Sequence, residues 1–400
     1  MAKTIRVALV GGPMYDAMYK RLNEFEKKNH VKVEIGFKGD NPSLNEHLEH
    51  HGAEYDLVST HSKYSPSQAQ FLRPLNDLIM KTELAAFEPS ALELMSFSGQ
   101  LWQIPRLIDC KILFYREDLF GDDSIKKNFE ERFKRPLSVP KTWTELAEIA
   151  AFMHHGPDQS GFSFPGQGSG LFGHFYEILE AAGGSLFTSD LQPGFVSDAG
   201  IYAVEILTKL YREAAPPETV HFKFDQATEH FIAGKAAMTS DFPGSFHAYR
   251  TSKIVGEKFD VALYPTGPGG KLGSLRKSYS GGHSFALTTG TRDVPQALEL
   301  LRFLTSEESQ YQEAKLGSIV PRPAVMKRIR KETPKGSLDE RRLNCYEETM
   351  KNCMCIPPKF ATYPLCEDAL WESIQGAMTG KWDAKTAIQR AADAVRAVPK

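Results

Sequence analysis

Short apolar runs alternating with amphipathic helical patterns open the chain, and this constrains the fold more than any other feature. Residues 5–10, Ile-Arg-Val-Ala-Leu-Val, read as a strand ended by the sharp turn Gly11-Gly12-Pro13. Tyr15, Met18, Tyr19, Leu22 and Phe25 then recur at the spacing of one helix face. Residues 31–37 alternate as a second strand, 44–51 are helical, and 55–60 give a third strand. Strands alternating with helices imply right-handed crossovers and a mainly parallel sheet. In such sheets ligands bind outside the carboxyl ends of the strands. Those ends are residues 11–15, 38–41 and 60–64.

Further along, residues 97–105 and 111–115 read as extended, and 106–110 between them would carry the chain out of a first lobe. Helical patterns follow at 142–152, 171–182, 199–214, 224–233, 294–305, 365–378 and 383–398, with a Gly-rich turn at 161–170. Pro216-Pro217 and residues 265–273 read as turns or linkers. The second follows a strand at 259–263 and is expected to return the chain to the first lobe. A chain of 400 residues exceeds what one core usually organises. The expectation is an α/β chain of two lobes that exchange chain at least twice.

Several functions are disfavoured. The 48 basic and 50 acidic residues are scattered, leaving a formal charge of -2 and no like-charge block suited to nucleic acid. No apolar run approaches the roughly 20 residues that span a bilayer. The start Met1-Ala2-Lys3-Thr4 runs straight into a strand, with no room for a signal peptide, so the expectation is a cytoplasmic protein or one whose leader has been removed. A dinucleotide loop fails at Gly11-Gly12-Pro13-Met14, which lacks G-x-G-x-x-G and in which Pro13 removes an amide. Gly267-Pro268-Gly269-Gly270-Lys271 is followed by Leu272 and is no phosphate loop. Ser169 stands between Gly168 and Gly170 without the nucleophile-elbow pattern. Asp122-Asp123 and Glu307-Glu308 sit at helix starts, where the dipole favours them.

His47-Leu48-Glu49-His50-His51 puts two imidazoles one helical turn apart, but no third ligand is indicated, and a solvated helix face is the simpler reading. His154-His155-Gly156-Pro157 reads as a helix end. Of the five cysteines, Cys110, Cys345, Cys353, Cys355 and Cys366, a pair such as Cys345 or Cys353 with Cys366 could form a disulfide. Cys353-Met354-Cys355 is too tight for a zinc pair, and buried thiols are the plainest reading. No catalytic residue, metal or cofactor is assigned.

Five segments decide the matter together. They are Phe71-Leu72-Arg73-Pro74-Leu75-Asn76-Asp77; Gly99-Gln100-Leu101-Trp102-Gln103-Ile104-Pro105; Leu113-Phe114-Tyr115-Arg116-Glu117-Asp118-Leu119-Phe120; Val139-Pro140-Lys141-Thr142-Trp143-Thr144-Glu145-Leu146; and Phe231-Ile232-Ala233-Gly234-Lys235-Ala236-Ala237-Met238, leading into Asp241-Phe242-Pro243-Gly244. Thr142 with Glu145 reads as a capping box, and Gly234 as a helix end. In order and spacing these segments resemble the extracellular solute-binding proteins of family 1, the maltose-binding-protein-like components of ABC importers.

That resemblance implies a two-lobed periplasmic-binding-protein fold of type II, with a ligand cleft between lobes, hinge closure and more than one crossing of the hinge. The lobes would be 1–113 plus 264–315, and 114–263 plus 316–400. It implies a non-enzymatic, monomeric, periplasmic protein that captures a small polar solute, foremost a carbohydrate, and passes it to ABC permease subunits, with no nucleic acid involved. A sugar acid, polyol or glycerol phosphate is the alternative ligand. A two-lobed carbohydrate-active enzyme and a chemosensory receptor subunit are alternatives of other classes. Carried over by position, the ligand-binding candidates of the first lobe are Gly12, Met14, Tyr15, Asp40, Thr60, His61 and Tyr64. The hinge adds Arg106 and Asp109, and the second lobe Gly168, Ser169, Asp241, Phe242, Gly244 and Ser245. The returning loop adds Ser280, Gly281, Gly282 and His283, and Tyr363 completes the set. Asp109 and Asp241 would accept hydroxyl hydrogen bonds, and Tyr15, Phe242 and Tyr363 would cover a sugar face. Glycines would let backbone approach the ligand. Of the four tryptophans, Trp102 and Trp143 fall in framework segments and Trp371 and Trp382 in helices, while Lys63 and Arg106 could pair with an anion.

Overall fold

The computed structural model describes residues 3–12, 15–156 and 158–399, so the candidate Met14 lies outside the described residues. The chain clusters into two units, one of Met1–Asp109, Ser280–Pro334 and Pro357–Tyr363, the other of Cys110–Tyr279, Lys335–Ile356 and Pro364–Lys400. Among the described residues no helix is long and apolar enough to cross a membrane.

In the first unit the strand Lys3–Val10 goes from exposed at Lys3 to fully buried at Val7, Ala8, Leu9 and Val10. It pairs in parallel with Val31–Gly39 on one side and Leu57–His61 on the other. Leu57–His61 in turn pairs antiparallel with Ser278–Leu287, and Ile104–Cys110 lies along that same strand. The sheet is therefore mixed. Between the parallel strands run helices that bury Leu22 and Phe25, and Leu44 and Leu48. Burying each such side chain contributes about 1.5–3 kcal/mol. The helix Asn41–His51 starts earlier than its apolar pattern, because the Asp40 carboxylate caps it by accepting from Ser43 N at 3.0 Å. Leu57 opens the third strand after the 3-10 turn Gly52–Glu54, two residues later than the pattern at 55–60 suggests.

The second unit is built on a four-stranded sheet in the order Phe259–Ala262, Ile112–Arg116, Ala236–Asp241, Ser160–Ser163. Its first two junctions are antiparallel and the last is parallel. The helix Trp143–Met153 buries Trp143, Leu146, Ile149 and Met153. Thr142 Oγ1 accepts from Glu145 N at 3.1 Å as expected, but the Glu145 carboxylate reaches Lys141 N at 2.7 Å. Gly234, at φ 73°, follows the helix Phe224–Ile232.

Two segments differ from their sequence reading. Residues 106–110 belong to the strand Ile104–Cys110 and do not separate two strands, although the first unit does end there, at Asp109. Residues 265–273 stay with the second unit: Gly273 N donates to Ala182 O at 2.7 Å, and a Cβ on Gly267 would lie 2.1 Å from Ala181 O. The return to the first unit comes at Tyr279/Ser280. All five cysteines are free, four buried and Cys345 partly so. His47 and His51 stack on each other and are held by Tyr55 and Glu54, a helix face as read.

Candidate functional site

Three neighbouring strands bring the charged and aromatic groups of the first unit together. His61 ends the strand Leu57–His61 and lies directly opposite His283 in the antiparallel pairing. Directly paired residues project to one face, so both rings share it. Asp109 comes from Ile104–Cys110 on the other side of Ser278–Leu287. Its Oδ2 stands 3.1 Å from His283 Nε2 and 3.9 Å from His61 Nε2. The Tyr15 hydroxyl is 2.8 Å from the same His283 Nε2. His61 and His283 meet edge to face at 5.1 Å, and Tyr64 meets His61 edge-on at 6.3 Å.

Gly281 makes this arrangement possible. A Cβ there would lie 2.4 Å from His61 Cε1, so the imidazole fills space that any other residue would claim. A Cβ on Gly282 would lie 2.8 Å from Leu107 O. The paired glycines are thus explained by protein atoms, a different reason from the close ligand approach expected of them.

Burial dominates the electrostatics. It pushes the Asp109 carboxyl up to about 7, with Arg106 opposing and Glu313 reinforcing. It takes His283 down to about 3, helped by Arg106 and Lys63, and holds His61 well below its ordinary value, helped by His283 and Lys63. Both imidazoles are neutral near pH 7. His61 Nδ1 accepts from Lys63 N at 3.2 Å, which leaves the proton of the neutral ring on Nε2, toward Asp109.

Arg106 occupies a different place from the one expected. It is 1% exposed, and its donors are engaged by the protein. Nε and Nη2 donate to Glu313 Oε1 at 2.9 and 2.5 Å, Nη1 to the Tyr19 hydroxyl at 2.8 Å, and Nη2 to Tyr15 O at 3.1 Å. Burial works against this charge, but Glu313 and Tyr19 outweigh it and hold the guanidinium above its ordinary value. Arg106 therefore anchors Tyr15 and Tyr19 rather than offering an anion a partner. Glu313 and Tyr19 were not among the sequence candidates; Glu313 stands 207 residues from Arg106, with no local pattern to announce it.

Other candidates of this unit serve the fold. Asp40 caps its helix. Thr60 Oγ1 donates to Gln68 Oε1 at 2.5 Å, and Tyr363 is fully buried beside Phe360. Gly12 has φ 127° and donates to Asp16, a turn that suits glycine. Ser280 is buried in the strand Ser278–Leu287.

In the second unit, Asp241 is buried and already accepts from Thr228 Oγ1 at 2.6 Å, Tyr249 OH at 2.5 Å and Phe242 N at 2.7 Å. These protein donors take the place expected for ligand hydroxyls. Phe242 is half-buried and packs edge-on against Phe224 at 5.5 Å. Gly244 and Ser245 lie in the 3-10 turn Pro243–Ser245. Gly168, at φ 57°, and Ser169 open the helix Gly168–Ala181, where both are half-buried.

Residues 11–311 match the family model described as bacterial extracellular solute-binding protein. A Deinococcus radiodurans protein named "Probable ABC transporter-binding protein" is 27% identical over 265 residues, 64% of this chain and 60% of its own. The mannitol-binding protein of Pseudomonas aeruginosa is 24% identical over 223 residues, 54% of this chain and 48% of its own. The chain thus spans less than two thirds of the length of either. Among solved structures, maltose-bound MalE3 of T. maritima superposes with a TM-score of 0.84 at 24% identity, covering 99% of both chains. A solute-binding protein of Agrobacterium radiobacter in complex with ribitol gives 0.80 at 21% identity, covering 98% of this chain and 97% of its own. These likenesses show the two-lobed α/β fold of such proteins.

Proposed function

We propose, from the premise that the chain belongs to the family of bacterial extracellular solute-binding proteins, that it captures a neutral polyhydroxylated solute, a sugar or polyol, for an ABC importer. Membership in that family implies a location outside the cytoplasm. Our reading places the chain in the periplasm, as a monomer that delivers its solute to membrane permease subunits. The relatives that bind mannitol, ribitol and maltose support the ligand class.

One observation carries the choice of a neutral ligand. The buried Asp109 carboxylate faces two neutral imidazoles, while the nearby Arg106 is consumed by Glu313 and the Lys63 ammonium lies over the Tyr64 ring at 5.0 Å. A carboxylate accepts up to about four hydrogen bonds, so hydroxyl donors suit Asp109 and a ligand anion does not. Tyr15 and Tyr64 supply the aromatic surface that a sugar or polyol carbon skeleton packs on. On this reading Tyr15, His61, Tyr64, Asp109 and His283 touch the solute, and Arg106 positions Tyr15.

A thermal-shift panel of mannitol, ribitol, maltose, gluconate and glycerol 3-phosphate tests this. A neutral compound is expected to raise the melting temperature without being turned over. Asp109→Asn is expected to weaken its binding by about 10- to 100-fold, the worth of a charge-assisted hydrogen bond. Stabilisation by the anionic compounds alone overturns the neutral-ligand reading, and product formation overturns the binding role.

A further inference from the structure

We propose that His61, Asp109 and His283 form a binding site for one divalent transition-metal ion of the zinc class. Their ligating atoms all lie within 4.8 Å of one another, and all three residues are buried. The set comes from three adjacent strands, a rigid placement for donors. Two imidazoles and one carboxylate suit zinc, whereas calcium and magnesium prefer oxygen donors. Zinc bonds of about 2.0–2.2 Å place tetrahedral donors about 3.3 Å apart. Asp109 Oδ2 and His283 Nε2, at 3.1 Å, already meet that spacing.

A second observation concerns His283. Two groups, Tyr15 OH and Asp109 Oδ2, converge on its Nε2, the nitrogen that would face a cation, whereas its buried Nδ1 lacks the hydrogen-bond acceptor that usually steadies a ligating imidazole. A cation held by Nε2 and Asp109 would take the place of that contact, with the Tyr15 hydroxyl, 2.8 Å from Nε2, close by. His61 is the donor that must adjust. Its Nδ1 accepts from Lys63 N, so coordination through Nε2 requires the proton to move to Nδ1 and that bond to be given up. Asp109 and His283 are therefore the strong ligands and His61 the weaker third. The site shares His61, Asp109 and His283 with the residues proposed above to touch the solute, and its test is read without any solute.

The test is calorimetric titration of the chelator-treated full chain with zinc chloride. One equivalent is expected to bind, with affinity reduced on the order of 100-fold in the near-isosteric Asp109→Asn and in His283→Ala, and on the order of 10-fold in His61→Ala. No binding, or binding unchanged by Asp109→Asn, overturns the site and points in the second case to the cysteines or to His47 and His51. Cobalt substitution in the unmutated chain guards against misfolded variants. Visible bands without thiolate charge transfer are expected, and a strong thiolate band overturns the assignment. Repeating the sugar and polyol panel without zinc keeps the two readings apart, since solute binding there leaves the metal result unaffected.

Discussion

Arg106 and Glu313 form an ion pair from which water is excluded on both sides, with side chains 1% and 4% exposed. The pair sits behind Tyr15, whose carbonyl Arg106 also holds, so the shape of the candidate site depends on a contact that no ligand needs to touch. Glu313→Gln would leave a guanidinium buried without its counter-charge. It is expected to lower unfolding stability by about 3–5 kcal/mol, whereas the double variant Arg106→Met, Glu313→Leu should lose far less. Urea unfolding of the single and double variants checks this; equal losses would show that the charge pair is not what matters.

Gly281 and His61 compete for one space, and this can be measured. Gly281→Ala forces the imidazole out of place and should cost about 1–3 kcal/mol. In the background of His61→Ala the same change should cost less, about 0.5 kcal/mol, because the two closest atoms are gone and only Ser62 Oγ at 3.3 Å remains. An additive double variant would mean that Gly281 is required for another reason.

How far the sequence could be read depended on the range of the interaction. Caps are local, so Thr142 with Glu145, and the turn at Gly234, were legible from three or four residues of context. Tyr15, His61 and Asp109 were reached through the carboxyl ends of strands and the family resemblance, and His283 through the returning segment. What failed was non-local. Residues 106–110 were expected to separate two extended segments and carry the chain out of the first lobe; the first unit does end at Asp109, but the segment is itself a strand, with Arg106 satisfied from afar by Glu313, Tyr19 and the Tyr15 carbonyl. Asp241 was named a ligand candidate through the family resemblance; its hydrogen-bond partners Thr228 and Tyr249 come from flanking helices, not from its own strand, and no local pattern announces them. The return of the chain was placed at the Pro-Gly segment 265–273, but glycine there answers to the backbone of Ala181 and Ala182 within the same unit.

The thiols offer a simple check. Burial pushes Cys345 and Cys366 up to about 11, and raises Cys353 and Cys355 as well. At pH 8 a thiol of pKa near 11 is only about 0.1% thiolate, the reactive form. A disulfide-exchange reagent should therefore react slowly with the native chain and rapidly with five thiols in guanidinium, without prior reduction. Three rapid thiols in guanidinium would reveal a disulfide and contradict the free cysteines.

His174 should make the second unit sensitive to acid. It lies in the helix Gly168–Ala181, edge-on to Trp143, Phe162 and Phe164, with Nδ1 2.7 Å from Glu177 Oε1. The charged groups facing it are Glu177, which also accepts from Tyr264, and Lys111. Burial first, then Lys111, take the imidazole down to about 4 against the pull of Glu177. An unfolded histidine titrates near 6.5. Between those values the unfolded chain binds a proton that the native chain refuses, so this contribution to stability is full above about pH 6.5 and declines as the pH falls toward 4. The decline is about 1.4 kcal/mol per pH unit, or about 2 kcal/mol by pH 5. His174→Phe suits the aromatic surroundings and cannot titrate. Whatever its absolute stability, it should lose about 2 kcal/mol less than the unmutated chain between pH 7 and pH 5 in urea unfolding. Equal losses in the two proteins would mean that His174 already carries its proton in the folded state.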